Sequence, residues 1–220
     1  MDKGSRLARG SLSRETILDS ALAVVSHDGV GRLTMRSLAE RLGAHPTSMY
    51  RHFRNKDELL TGLADRLLGH LHVTVDSGHG WRAILLSLGE QLRQTLSRHP
   101  GAVSLLAASP YSPSALRLME TTLAALTRAG LPPPHAGQAL RATFTYTVGH
   151  AVTTPDSTSF WTDLLDTAAP ASAYPTLIGN GGWTMPPDEE FTAGLQLILD
   201  GTAAAIQPST QRQRRRSVVS

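Results

Sequence analysis

The sequence predicts an all-α protein, with an N-terminal three-helix domain built on a helix-turn-helix and a larger helical body behind it. Three observations carry the prediction. Apolar residues recur at i, i+3 and i+4 along the periodic segments, and no segment alternates with period two. Ser, Thr or Asn stands where the early helices begin, and Gly or Pro punctuates their ends. Residues 34–56 read TMRSLAERLGAHPTSMYRHFRNK, two short helices about a glycine turn.

The first helix starts at Ser13, a good N-cap. Leu12 and Ile17 form a hydrophobic staple, and Ile17, Leu18, Ala21, Leu22 and Val25 make one apolar stripe. Asp28-Gly29 stops it, with Gly29 in the left-handed cap position. Thr34 caps the second helix, which buries Met35, Leu38, Ala39 and Leu42 and ends at Gly43. A short third helix begins at Pro46, where the missing N–H has no helical partner to lose. Asn55 caps a fourth, with Glu58 completing an Asn-x-x-Glu box, and its leucines carry it to about Val75. Further helices are predicted over 81–98, 101–108, 113–129, 134–152, 158–168 and 188–206. A mobile loop is predicted from Tyr174-Pro175 to Pro187. The domain plan is a flexible basic arm (1–12), the helix-turn-helix domain (13–57), a ligand-binding and dimerisation domain (58–206) and a disordered basic tail (207–220).

Within the helix-turn-helix, Ala39 is small where the second helix must cross close to the third. Gly43 suits a turn that needs positive φ. With Met49 and Phe53 turned inward, the third helix presents Thr47, Ser48, Tyr50, Arg51 and His52 outward. These are hydrogen-bonding side chains on an element narrow enough for the DNA major groove. Arg51 has the fork that matches guanine O6 and N7, while Tyr50 and His52 suit phosphates or a thymine methyl. Thr34 at a helix start, Arg36, Pro46 at the head of the third helix and Lys56 complete the predicted DNA contacts, with phosphates fixing register. Arg51 as an ordinary ion-paired surface arginine and Tyr50 as a half-buried core residue are the alternatives.

Charge agrees with a polyanion partner. The chain is +3 overall. Six basic residues from Arg32 to Lys56 face one acid, Glu40, whereas the helical body is acidic on balance. Four arginines in the tail, and Lys3, Arg6 and Arg9 in the arm, could add non-specific DNA attraction. There is no cysteine, no secretory apolar run at the start and no stretch long enough for a membrane span, so a cytoplasmic, nucleoid-associated protein without a membrane partner is expected. Neither H-E-x-x-H, G-x-S-x-G nor a phosphate-binding glycine loop occurs. His70 and His72 are two apart and point to different sides of a helix. The sequence therefore predicts no catalytic residue, metal or cofactor.

Ser13 to Ala64, with "LTMRSLAERLG" and "YRHFRNKDELL", resembles the N-terminal domain of the tetracycline-repressor (TetR) family. The body is similar, more loosely, to the tetracycline-repressor type of C-terminal domain, through Gly80-Trp81, His99-Pro100-Gly101, Gly149-His150, a glycine-rich loop and a last amphipathic helix. The resemblance implies a repressor acting as a homodimer on a palindromic operator. It places Leu140, Thr143, Phe191, Leu195, Ile198 and Thr202 at a four-helix dimer interface, unless these are intrachain core positions. It also implies a cavity for an unidentified small-molecule effector, lined by His72, Trp81, Leu88, Leu92, Tyr111, Phe144, Thr147, His150 and Trp161. Leu88 and Leu92 stand where the tetracycline receptor has polar and aromatic drug contacts, and Val103 to Ser109 offer no metal-binding histidine. A largely apolar ligand without metal follows. Two other readings stay open: a DNA-binding dimer without an effector, and a helical enzyme.

Overall fold

A computed structural model describes residues 12–73, 80–108, 111–153, 173–176 and 186–206. Nine α-helices and two 3₁₀ turns, with no strand, make up the described residues. The helices are α1 (Arg14–Asp28), α2 (Met35–Arg41), α3 (Pro46–Met49), α4 (Lys56–Leu68), α5 (Trp81–Arg98), α6 (Val103–Ala108), α7 (Pro113–Arg128), α8 (Pro133–Thr153) and α9 (Pro187–Ile206). The arm, the tail, the predicted helix 158–168 with Trp161, and most of the glycine-rich loop lie outside the described residues.

The chain divides into two compact units, residues 1–72 with 91–120 and residues 73–90 with 121–220. Of the three boundaries, one follows α4 and two fall inside helices, α5 and α7. In the first unit, α1 to α4 enclose one core of Ile17, Ala21, Val25, Leu38, Met49, Phe53, Leu59 and Leu63, to which Ala102 and Leu105 are added. Thus α4, assigned to the larger domain from the sequence, packs with the helix-turn-helix. Ion pairs between Arg14 and Glu58 and between Asp19 and Arg66 join α1 to α4 along their length.

Local chemistry explains the ends. Ser13 caps α1 by accepting from the Thr16 N–H at 3.0 Å. Gly29 has φ 76° and ψ 168°, so it turns the chain through the extended mirror region and not the left-handed helical cap that was predicted. Gly43 does take the left-handed form, φ 61°. The Ala44 and Gly43 N–H groups return to the Ala39 and Glu40 carbonyls at 2.9 and 3.1 Å, a Schellman end. The α4 helix stops at Leu68, short of Val75. The leucine run continues to Leu71, but the Gln91 side chain accepts from the His72 N–H at 3.0 Å and donates to its carbonyl at 2.9 Å, which takes both groups out of any helix. Residues 100–102 form a 3₁₀ turn before α6 rather than its first turn. Here Gly101 lies so close to α1 that a Cβ would sit 1.9 Å from the Val25 carbonyl oxygen.

In the second unit, α8 packs on α9. Leu195 and Phe191 of α9 and Thr143 of α8 meet α5 at Gly89, where a Cβ would fall 2.8 Å from Leu195. The Tyr146 ring stacks on Phe191 with centroids 5.4 Å apart, and its hydroxyl donates to the Phe191 carbonyl at 3.1 Å. Burial, with the Glu190 carboxylate, holds that phenol above its ordinary pKa. An Arg82–Asp200 ion pair of 2.7 Å ties α5 to α9.

Candidate nucleic-acid interface

The α2–turn–α3 segment stands on buried Met35, Leu38, Ala39 and Met49, with Phe53 below. The outer face carries Thr47, Tyr50 and Arg51 exposed, with Pro46, Ser48 and His52 half-buried. Tyr50 is 52% exposed, so it is not a core tyrosine. Arg51 makes no ion pair or hydrogen bond among the described residues. The alternative of a surface arginine neutralised by an acid does not apply to it.

Arg14 supports this face from behind. Its guanidinium lies 4.0 Å over the Phe53 ring and donates to the His52 carbonyl at 2.7 Å. It also pairs with Glu58 at 3.3 Å. The other Glu58 oxygen accepts from the Arg54 N–H at 2.8 Å and the Arg54 side chain at 3.2 Å. The Arg54 backbone bond, the largest influence, holds the Glu58 carboxyl below its ordinary pKa; burial opposes it, and the Arg54 and Arg14 side chains add to the lowering. Half of the predicted Asn-x-x-Glu box forms, since Asn55 accepts from the Glu58 N–H at 2.8 Å. Glu58 itself turns to Arg54 instead of the Asn55 N–H.

A reciprocal box exists one helix earlier. Thr34 accepts from the Ser37 N–H at 3.0 Å, and the Thr34 N–H donates to the Ser37 hydroxyl at 3.2 Å. The Thr34 hydroxyl hydrogen also goes to Ser37, at 2.8 Å. Thr34 therefore has no free donor of the kind predicted for a phosphate. Arg36 reaches Glu40 at 3.0 Å along the exposed face of α2. Lys56 is half-buried and donates to the Val30 carbonyl at 3.1 Å, which leaves two of its three ammonium hydrogens.

The residues predicted for an effector fall in both units. Leu88 and Thr147 are buried, Trp81 and His150 half-buried, and Phe144 exposed, all in the second unit. His72, Leu92 and Tyr111 belong to the first, where Leu92 is buried and Tyr111 is 76% exposed. Of the predicted interface residues, Leu140, Thr143, Phe191 and Leu195 are buried within a single chain, and Ile198 and Thr202 are half-buried. The large apolar side chains that α8 and α9 leave outward are Phe144, Val152 and Leu197, the last 73% exposed. Among the described residues no group of three or more His, Cys, Asp or Glu could hold a metal ion, and no helix is long and apolar enough to cross a membrane.

Sequence reasoning missed Arg14, Ser37 and His45. The last was legible: a residue just before an N1 proline is the N-cap, and His45 fills that place through its Nδ1. Arg14 was not, because its partners lie 38 and 44 residues away.

Two short helices crossed about a left-handed glycine, with a polar and basic outer face, define a helix-turn-helix DNA-binding protein. Comparison with known proteins identifies its kind. Residues 17–63 match the family described as bacterial regulatory proteins, tetR family, and residues 75–206 match the tetracyclin repressor-like C-terminal domain. A transcriptional regulator of Saccharopolyspora erythraea is 33% identical over 210 residues, covering 88% of this chain and 85% of its own. The class A tetracycline repressor of Escherichia coli is 30% identical over 196 residues, 87% and 91% of the two chains. The structure of ActR from Streptomyces coelicolor in complex with (S)-DNPA superposes with a TM-score of 0.74 at 26% identity, over 88% of this chain and 98% of ActR. The chain belongs to the TetR family of DNA-binding transcriptional regulators.

Proposed function

We propose that the protein is a homodimeric repressor that holds a palindromic operator and is released by a small, largely apolar ligand. The observation that carries the DNA reading is the exposed surface of α3 and of the turn that follows it, with Arg51 unpaired among the described residues and Tyr50 beside it. Arg51 donates to guanine, Thr47, Ser48, Tyr50 and His52 meet neighbouring bases or phosphates, and Pro46 packs on the groove wall. Arg36 and Lys56 hold phosphates and set register. Thr34 serves by fixing α2 rather than as a donor. The reading units are residues 13–57 with α4 beneath them, and the helical body carries effector binding and dimerisation. One short helix contacts too few bases for useful specificity, and a two-fold pair doubles them.

The dimer face is proposed on the outer sides of α8 and α9, around Phe144, Val152 and Leu197, because Leu140, Thr143, Phe191 and Leu195 are used inside each chain. The effector site is proposed on Trp81, Leu88, Thr147 and His150. Its support is the ligand-bound ActR, the tetracycline repressors among the relatives, and the apolar character of Leu88. An operator selected from random duplexes by the purified protein tests the whole. One palindrome is expected. Arg51→Ala should lower affinity for it by about 1–3 kcal/mol and relax preference at one base per half-site. Phosphate attraction with a steep salt slope and no enriched sequence would overturn the reading. Magnesium–tetracycline, used as the first ligand probe, should leave the operator bound; release by it would refute the metal-free assignment.

A further inference from the structure

Between α2 and α3, His45 and Thr47 are both exposed and flank Pro46. The Thr47 backbone N–H donates to His45 Nδ1 at 3.3 Å, and the Thr47 hydroxyl lies 3.0 Å from the same nitrogen. A backbone N–H can only donate, so Nδ1 must carry a lone pair and the ring proton of the neutral imidazole sits on Nε2. An unprotonated Nδ1 has no hydrogen to give, so at 3.0 Å the Thr47 hydroxyl is also the donor. Pro46 has no N–H, and the Ser48 N–H donates to the His45 carbonyl at 2.8 Å. The residue before a proline is held extended, and His45 has φ −76° and ψ 139°, which keeps the ring over the start of α3.

We infer that His45 is a specificity-determining residue that fixes the hydrogen-bond polarity of the reading face. With its hydrogen spent on His45, the Thr47 hydroxyl offers DNA only a lone pair. It then accepts from a base amino group, adenine N6 or cytosine N4, and cannot donate to guanine O6 or thymine O4. Unassisted threonine would tolerate either, since its hydroxyl rotates. His45 itself presents Nε2–H as a donor toward the groove. This deepens the DNA reading and rests on it. It assigns His45 a positioning role through Thr47 as well as a contact of its own.

The test uses the full chain and the duplex it selects. The base read by Thr47 is the position whose preference disappears in Thr47→Val. The wild type should prefer an amino-bearing base there by about tenfold. His45→Ala should flatten that one position while leaving preference at the Arg51 base intact. His45→Asn, whose Oδ1 can accept from the same two donors, should restore it. His45 is exposed, so thermal melting of the alanine variant should fall only by the share of the α3 cap, which His45→Asn should recover, and a uniform loss across all bases would be a merely structural effect and would overturn the inference. So would an unchanged profile in His45→Ala, or a guanine or thymine preference at the Thr47 position. If the wild type selects no sequence at all, the DNA reading falls and this inference with it. If it selects one and the His45 variants are silent, only this inference falls.

Discussion

Two titrating residues link single side chains to the stability of the first unit. His99 packs against α1, with its Nδ1 2.8 Å from the Ser26 hydroxyl. Burial, then the neighbouring Arg98 charge, lowers its pKa below the ordinary histidine value. A base whose folded pKa is depressed binds its proton more readily when unfolded. Its contribution is thus complete above the unfolded histidine pKa and is lost as pH falls through the folded one. Urea midpoints should drop as pH is lowered through the ordinary histidine range, and His99→Asn should remove that part of the slope. An identical slope in the variant would show that other groups carry it. Glu58 works in a lower window. Its carboxyl is depressed by Arg54 and Arg14, so its contribution persists above the ordinary glutamate range and disappears as pH falls below it. Glu58→Gln should flatten the acid limb and loosen Arg14, on which the His52 carbonyl depends. An acid limb unchanged in Glu58→Gln would remove Glu58 from the account.

At the scale of elements, the contact between α1 and the 100–102 turn is set by one missing side chain. Gly101→Ala would place a methyl 1.9 Å from a backbone oxygen that has no rotamer to retreat into. The two elements must separate, opening the core at Val25 and Ala102. A loss of about 2–4 kcal/mol is expected from chemical denaturation. Loss below about 0.5 kcal/mol would mean that the turn yields freely. Gly43→Ala differs in kind: nothing lies near its Cβ, so only the left-handed φ resists, at about 1–2 kcal/mol. Both glycines read alike in the sequence as helix punctuation. The helices themselves were legible because caps and apolar spacing are local: Ser13, Thr34, Pro46 and Asn55 mark the starts of the first four, and α5 was placed at 81–98 as found. The end of α4 was placed too late: it stops at Leu68 with Gly69 as its C-cap, and beyond it His72 is held by Gln91, 19 residues further on.

At the scale of the molecule, the proposed function depends on a second copy and on DNA. Leu197→Glu, on the proposed dimer face, should shift the protein toward monomer in sedimentation and abolish tight binding to a full operator. Each chain should stay folded, with the helical circular dichroism of the wild type, since Leu197 is 73% exposed in the single chain. A variant that remains dimeric would place the interface elsewhere. Removal of residues 207–220 should reduce the steepness of the dependence of DNA affinity on salt, because each lost arginine–phosphate contact releases fewer counterions. An unchanged slope would leave the tail no part in DNA attraction.

The sequence by itself determined the helical class, the helix-turn-helix and its outward residues, because these follow from 3.6-residue periodicity, capping chemistry and one glycine turn, all confined to neighbours along the chain. Only the tertiary structure decided which apolar residues of α8 and α9 are consumed within one chain, since periodicity marks a buried face without saying what buries it. It likewise decided that Glu58 divides its oxygens between Arg54 and Arg14, the latter 44 residues away. A side chain's hydrogen bonds depend on where other atoms lie, and that is a property of the packed chain.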